Sequence, residues 1–373
     1  MKNRPEKIHA LTSMRFFAAF YVVLFHTLGQ AFGPQIAGTW VERFNSLGYI
    51  AVSFFFLLSG YILAVVYLRD RAVVRKRNFY AARFARIYPL FLMTLLADVP
   101  YAIAIRANAW GMHKALIKTA ITLGAHLLML QAWIPGINGI DQPNWSLSVE
   151  TLFYLIFPVI GVILWRLRGT VLWLAALAIW LLSQAAVWLI APHLAITTAK
   201  FHPLFHVGTF ALGILLARWQ TLRREDGQGR SISPFATALM LLVILGVFAA
   251  TVHWQNEIPV PSLNAGLLSP VFAALIWVCA NNDGALSRWL SVPWLVLLGE
   301  ASFGLYLIHL PVNHLFESLH WEHSQLLYPF YLALCIGLSV ASFYCIENPS
   351  RKWLLKRLQT RPKETMEAAS DAQ

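Results

Sequence analysis

Charged residues are scarce in this chain. Lys, Arg, Asp and Glu make up 12% of its 373 residues, hydrophobic residues 58%, and the mean hydropathy is +0.60. A water-soluble fold of this length needs more polar surface, so that class is excluded. Cysteine is sparse too: Cys279, Cys335 and Cys345 fall in or at the end of apolar runs, without metal-ligand spacing, and read as small hydrophobes. No Gly-rich phosphate loop, Cys/His cluster or Gly-x-Ser-x-Gly elbow occurs. No metal and no permanently bound cofactor is expected, and any chemistry must come from residues inside the apolar runs. Repeats of 20–50 residues, low-complexity tracts and flexible linkers are missing as well, which leaves one domain.

What the chain does have is a succession of apolar runs near the roughly 20 residues that cross a bilayer as a helix. They fall at about 11–31, 47–68, 87–105, 145–165, 170–191, 204–219, 234–251, 263–281, 292–312 and 326–346. The expected fold is all-α, a polytopic membrane helix bundle of about ten transmembrane helices over residues 1–350, with a basic cytoplasmic tail over 351–373. Met1–Lys7 and the following apolar stretch imitate a signal peptide, but Arg15 interrupts the apolar core, so this is expected to be an uncleaved first span.

The formal charge of +12 does not point to nucleic acid, because the basic residues sit in short clusters between apolar runs. With the N-terminus inside, Arg69, Arg71, Arg75, Lys76, Arg77, Arg83 and Arg86 are cytoplasmic. An eleventh stretch, 115–133, decides the rest. If it does not cross, Arg166 and Arg168, the Arg218–Arg230 loop, and Arg351, Lys352, Lys356 and Arg357 are also inside; if it crosses, all are outside. It carries Lys118, His126 and Gln131 and precedes Pro135-Gly136, which suits a re-entrant or interfacial helix. Both termini are therefore expected in the cytoplasm.

Arg15 and His26 are 11 residues apart in the first span, which brings them to nearly one helix face about 16 Å apart along the axis. A buried ionisable group usually faces a cavity or a partner, and imidazole can take a proton from a hydroxyl near neutral pH. Snorkelling of Arg15 with an interfacial His26 is the plainer alternative. Arg83 and Arg86, three apart, share a side if helical and suit phosphate oxygens; on these residues alone, a basic loop serving topology is the plainer explanation. Ser146, Glu150 and Tyr154 share one face of the fourth span, where Glu150 can orient an imidazole or bind a sugar hydroxyl, and Trp145 beside them suits an interfacial belt. Ser302, Tyr306, His309 and Asn313 form a polar stripe in the ninth span, which lines a cavity or packs helices. Ser59-Gly60 in the second span allows close helix approach or a local backbone opening, and packing is the expected role.

Taken in order, the motifs resemble the acyltransferase-3 family of bacterial membrane O-acyltransferases. They are Arg15 with His26; Val52-Ser53-Phe54-Phe55-Phe56-Leu57-Leu58-Ser59-Gly60; Arg83-Phe84-Ala85-Arg86-Ile87-Tyr88-Pro89; Trp145 through Glu150; Ser302 through His309; and Ile346-Glu347-Asn348-Pro349. The resemblance covers nearly the whole chain. It implies a stand-alone inner-membrane O-acetyltransferase that uses cytoplasmic acyl-CoA, usually acetyl-CoA, to modify surface carbohydrate such as lipopolysaccharide, or a related glycosylated or lipid-linked acceptor, at the outer face. Arg15 and His26 correspond to the family's intramembrane Arg and His, and Arg83 and Arg86 to its Arg-x-x-Arg motif. Ala51-Val52-Ser53 lacks the acidic residue common early in the second-span motif, and the extracytoplasmic esterase-like domain that some members append is not expected. The protein is thus expected to act alone or to pass the acyl group to a separate extracytoplasmic acyl-handling partner.

The mechanism implied has donor phosphates on Arg83 and Arg86, and the thioester arm passing Arg15. His26 serves as base or acyl relay, while Glu150 and His309 hold acceptor or imidazole and Trp145 and Tyr306 line the acceptor site. Arg15 holding the thioester oxygen is the variant of this scheme. A transporter or flippase for an amphipathic or glycolipid substrate is the rival class, although no corresponding pair of Gly/Pro-broken helices is evident in the sequence. A non-catalytic scaffold is the third.

Overall fold

The computed structural model describes residues 9–69, 74–137, 139–227, 232–321 and 323–358. Arg71, Arg230 and the tail beyond Leu358 lie outside the described residues, as does Met1–Lys7. Sixteen α-helices follow one another without strands among the described residues: α1 His9–Ile36, α2 Trp40–Ser46, α3 Ile50–Tyr67, α4 Lys76–Trp110, α5 Met112–Leu127, α6 Trp145–Trp165, α7 Gly169–Ile190 and α8 Ile196–Phe201. The second half comprises α9 Val207–Glu225, α10 Pro234–Trp254, α11 Val260–Asn264, α12 Ser269–Asn281, α13 Ala285–Leu290, α14 Pro293–Ser318, α15 Tyr328–Ser342 and α16 Asn348–Leu358.

Among the described residues ten helical segments are long and apolar enough to cross a membrane: α1, α3, α4, α6, α7, α8 with α9, α10, α11 with α12, α14, and α15 with α16. Each contains the core of one expected apolar run. The third begins at Lys76 rather than near 87, so Arg83 and Arg86 stand on a helix and not in a loop. The last runs on to Leu358, so the first part of the expected tail is helical. A π-helical turn, Phe343–Glu347, joins α15 to α16.

Side-chain pairings fix the direction of the helices. Thr12 faces Gly299 near the start of α1 and α14, and Gln30 Nε2 donates to Glu317 Oε1 (2.9 Å) near their ends, so these two spans run parallel. A Cβ on Gly299 would lie 2.0 Å from the Thr12 carbonyl oxygen, so only glycine permits this approach. Gly60 and Gly213 do the same between α3 and α9, which bears out the packing role read for Ser59-Gly60.

The stretch read as a difficult eleventh span folds back on α4. Arg106 Nη1 donates to Thr119 Oγ1 (2.8 Å) and the Tyr88 hydroxyl to the Leu127 carbonyl (3.2 Å), so α5 runs antiparallel to α4. The chain then returns, with Arg106 Nη2 on the Gly139 carbonyl (3.1 Å) and the Asp141 amide on Asp98 Oδ2 (2.8 Å). The start of α6 therefore lies at the end of the bundle where α4 finishes. A full crossing by α5 would also make α14 antiparallel to α1, contrary to the pairing above.

Two spans are broken, which the sequence reading did not expect. Pro203 interrupts the chain between α8 and α9, and Gly266, at φ +89°, lies between α11 and α12. Carbonyls freed by a break inside a membrane need new donors. Here the Lys200 carbonyl accepts from Asn264 Nδ2 (2.6 Å) and His206 Nε2 (3.0 Å), the Asn264 carbonyl from Ser53 Oγ (2.5 Å), and the Ala265 carbonyl from Thr209 Oγ1 (3.2 Å).

Candidate active site

Two cavities meet inside the bundle. The first, about 180 Å³, lies toward the end that carries the start of α1 and of α4 and is lined by Arg15, Arg83, Arg86, Ser59, Glu150 and Tyr154, among others. The second, about 240 Å³, lies toward the other end and is lined by His26, Trp145, Lys200, Phe201, Asn264 and Gln142, among others. Val52 and Tyr306 line both and so form the partition between them. The Tyr306 hydroxyl is held there, donating to the Pro143 carbonyl (2.9 Å) and lying 2.8 Å from Ser146 Oγ.

The arginines of the first cavity differ in their company. Arg86 Nη1 is paired with Glu347 Oε2 at 3.0 Å, and its guanidinium carbon lies 5.4 Å from the Phe303 ring centre. Arg83 stands over the rings of Tyr67 and Tyr154 (5.6 and 5.8 Å) and donates to the Tyr67 hydroxyl (3.3 Å), while its buried Nε finds no acceptor among the described residues. Arg15, half-buried, forms neither a hydrogen bond nor an ion pair with any described residue. Against three guanidiniums stand the Glu150 carboxylate and, behind Arg86, Glu347, so the cavity is net cationic and suited to an anion.

Glu150 belongs to this cationic cavity. It accepts from the Tyr154 hydroxyl (2.5 Å) and Ser59 Oγ (3.4 Å), and it does not line the cavity of His26. The imidazole it was expected to orient has another partner. His309 Nε2 lies 3.2 Å from His26 Nδ1.

The tautomers follow from the neighbours. His309 Nδ1 is 2.8 Å from the Tyr306 carbonyl oxygen, which can only accept, so Nδ1 carries the proton and Nε2 of the neutral ring is a lone pair. His26 Nδ1 thus faces two acceptors, that lone pair and the Val22 carbonyl at 3.0 Å, and must carry a proton itself. His26 Nε2 is left as the basic nitrogen. His309 is fully buried, and its backbone carbonyl is tied down by the Tyr331 hydroxyl (2.9 Å).

The fold therefore brings together His26, Trp145 and Tyr306 around one cavity, with His309 against His26 but outside the cavity lining, and Arg15, Arg83, Arg86 and Glu150 around the other. Three residues received no role in the sequence. Glu347 was legible as part of a motif and as a carboxylate at the end of an apolar run, whereas Lys200 and Asn264 reach the His26 cavity only because their spans break. Among the described residues no group of three or more His, Cys, Asp or Glu is arranged to hold a metal ion.

The model of the acyltransferase 3 family, described as an acyltransferase domain, matches residues 8–344. The chain is 33% identical over 332 residues to acyltransferase MdmB of Streptomyces mycarofaciens, covering 84% of this chain and 80% of that protein. Identity to nodulation protein 10 of Rhizobium leguminosarum bv. viciae is 26% over 360 residues, covering 91% and 92%. For O-acetyltransferase OatA of Staphylococcus aureus strain MRSA252 it is 22% over 396 residues, covering 98% of this chain but only 60% of OatA. No solved structure matches. The transporter and scaffold readings are set aside, and the chain belongs to the acyltransferase-3 family of acyltransferase enzymes, built as a multi-pass helical membrane domain.

Proposed function

We propose that this acyltransferase takes an acyl group, in the first place acetyl, from cytoplasmic acyl-CoA and places it on a hydroxyl of a carbohydrate or lipid-linked glycan at the outer face of a bacterial inner membrane. The observation that carries this reading is the meeting of an arginine-lined cavity and a His26 cavity at one partition, Val52 and Tyr306. The positive-inside rule puts the end bearing Arg69, Arg75, Lys76, Arg77 and Arg224 in the cytoplasm, and with it both termini.

In this scheme the donor's phosphates lie against Arg83 and Arg15. Arg86, already paired with Glu347, contributes field and shape. Arg15 and His26 are about 16 Å apart along α1, so no small group touches both, whereas an extended thioester arm spans that interval. The arm passes Tyr306 and presents its carbonyl to the second cavity.

There His26 Nε2 takes the acceptor hydroxyl's proton as the oxygen attacks the thioester carbon. The C–O bond forms, the C–S bond breaks, and the proton passes from His26 to the departing sulfur, giving the ester and free thiol. While His26 is protonated, its Nδ1–H remains bonded to His309 Nε2 and the Val22 carbonyl, so the cation is held without rearrangement.

The test is purified protein in vesicles with radiolabelled acetyl-CoA on one side and lipid-linked glycan on the other. Label on the glycan together with released CoA is expected. Acetyl-CoA retained intact and glycan unlabelled, with protein shown to be folded, contradicts the reading.

A further inference from the structure

The outer cavity contains polar groups that the transfer step does not use. Lys200 lines it from the end of α8, at the first break, and its backbone is pinned by the Asn264 and His206 side chains on its carbonyl. Its ammonium forms no hydrogen bond or ion pair with any described residue, and no carboxylate lines this cavity. Asn264, 3% exposed and at the second break, spends its Nδ2 on the Lys200 carbonyl, which fixes the amide orientation. Its Oδ1 then has no donor among the described residues. Much of the remaining lining is aromatic: Trp145 and Phe201, ring centres 4.7 Å apart, with Tyr49 and Phe25.

A cation without a protein partner, a buried acceptor oxygen and aromatic rings around a basic imidazole describe the molecule they fit. We infer that the acyl acceptor is an anionic glycan, whose carboxylate or phosphate is held by Lys200 while one of its hydroxyls donates to Asn264 Oδ1 and a second faces His26 Nε2. This rests on the acyl-transfer reading above and adds the substrate class to it. An apolar ring face on Trp145 and an ionic contact at Lys200 would fix which hydroxyl reaches His26. A neutral acceptor would leave an unpaired ammonium beside a half-buried site, and selectivity of this kind exceeds what shape alone supplies.

The experiment uses the full chain in vesicles with radiolabelled acetyl-CoA and three acceptors sharing one alkyl aglycone: a neutral glycoside, the matching uronide and the matching phosphorylated glycoside. The readout is the ratio of kcat/KM for each anionic acceptor over the neutral one. We expect that ratio to exceed about tenfold in the wild type, as one charge-assisted hydrogen bond provides. It should fall toward one in Lys200→Gln and be kept in Lys200→Arg. Preference for the uronide or for the phosphorylated glycoside tells a carboxylate from a phosphate source. A ratio near one in the wild type, unmoved in Lys200→Gln, overturns the anionic acceptor and leaves acyl transfer standing. No label on any of the three and no CoA release overturns both.

Discussion

His309 Nε2 lies 3.2 Å from His26 Nδ1, across the interface of two parallel spans that are 283 residues apart in sequence. This contact, with the Val22 carbonyl, sets the tautomer of His26 and leaves Nε2 as its basic nitrogen. His309 is thus a positioning residue. His309→Leu should lower kcat by about tenfold to a hundredfold, the equivalent of one lost hydrogen bond to a charged group, with KM for acetyl-CoA little changed. His309→Gln, whose carbonyl oxygen can accept from His26 Nδ1–H, should recover much of the loss. Equal damage from both variants would reduce His309 to packing.

The arginines are expected to separate by their partners. Arg15, without an ion pair, should tolerate Arg15→Ala in thermal stability while KM for acetyl-CoA rises about tenfold or more. Arg86→Ala strands Glu347, which is 4% exposed, and should cost about 3–5 kcal/mol of stability besides its effect on the donor. The double variant Arg86→Leu with Glu347→Leu should regain stability without regaining donor use. Thermal unfolding in detergent beside donor titrations decides this. An Arg86→Ala protein as stable as wild type would contradict the assignment.

Asp141, just ahead of the fourth span, is 1% exposed and adopts φ +44°. Burial first, and then the neighbouring Asp98, hold its carboxyl well above its ordinary value of 3.8. The folded state therefore binds this proton more tightly than the unfolded chain, and stability falls as pH rises above about 4. Asp141→Asn removes that dependence and suits the left-handed backbone. Its melting temperature should exceed the wild type's by a margin that widens with pH and closes in acid. A margin independent of pH would contradict this.

Topology has its own check. Cysteines introduced at His113 and at Arg166 should be labelled from opposite sides, the first from outside and the second from inside, because α5 turns back along α4. Labelling of position 166 from outside would reverse the orientation of everything after α5.

The membrane fold was legible in the sequence because hydropathy and charge are local properties, read one run at a time. The extent of α4 was not, since the basic, weakly apolar stretch from Lys76 reads as a loop until its contacts are known: Arg86 pairs with Glu347 of the last span and Arg83 stands against Tyr67 and Tyr154. The 3.6-residue period put Ser302, Tyr306 and His309 on one stripe, but a period does not say which helix a stripe meets. That register was set by Gly299 against Thr12, and it delivered His309 rather than Glu150 to His26. Lys200 and Asn264 were illegible for a related reason. Lys200 precedes one apolar run and Asn264 begins another, and nothing local marks the two breaks that bring them to the cavity.

The central claim is that His26 Nε2 carries the acceptor's proton. Its most direct test is the rate of acetyl transfer by His26→Gln, reconstituted in vesicles at matched protein and with unchanged thermal stability. Glutamine keeps hydrogen-bonding capacity but cannot take the proton, so the account predicts a fall of about 10²–10⁴-fold in kcat. A well-folded His26→Gln protein that transfers acetyl at nearly the wild-type rate would contradict it.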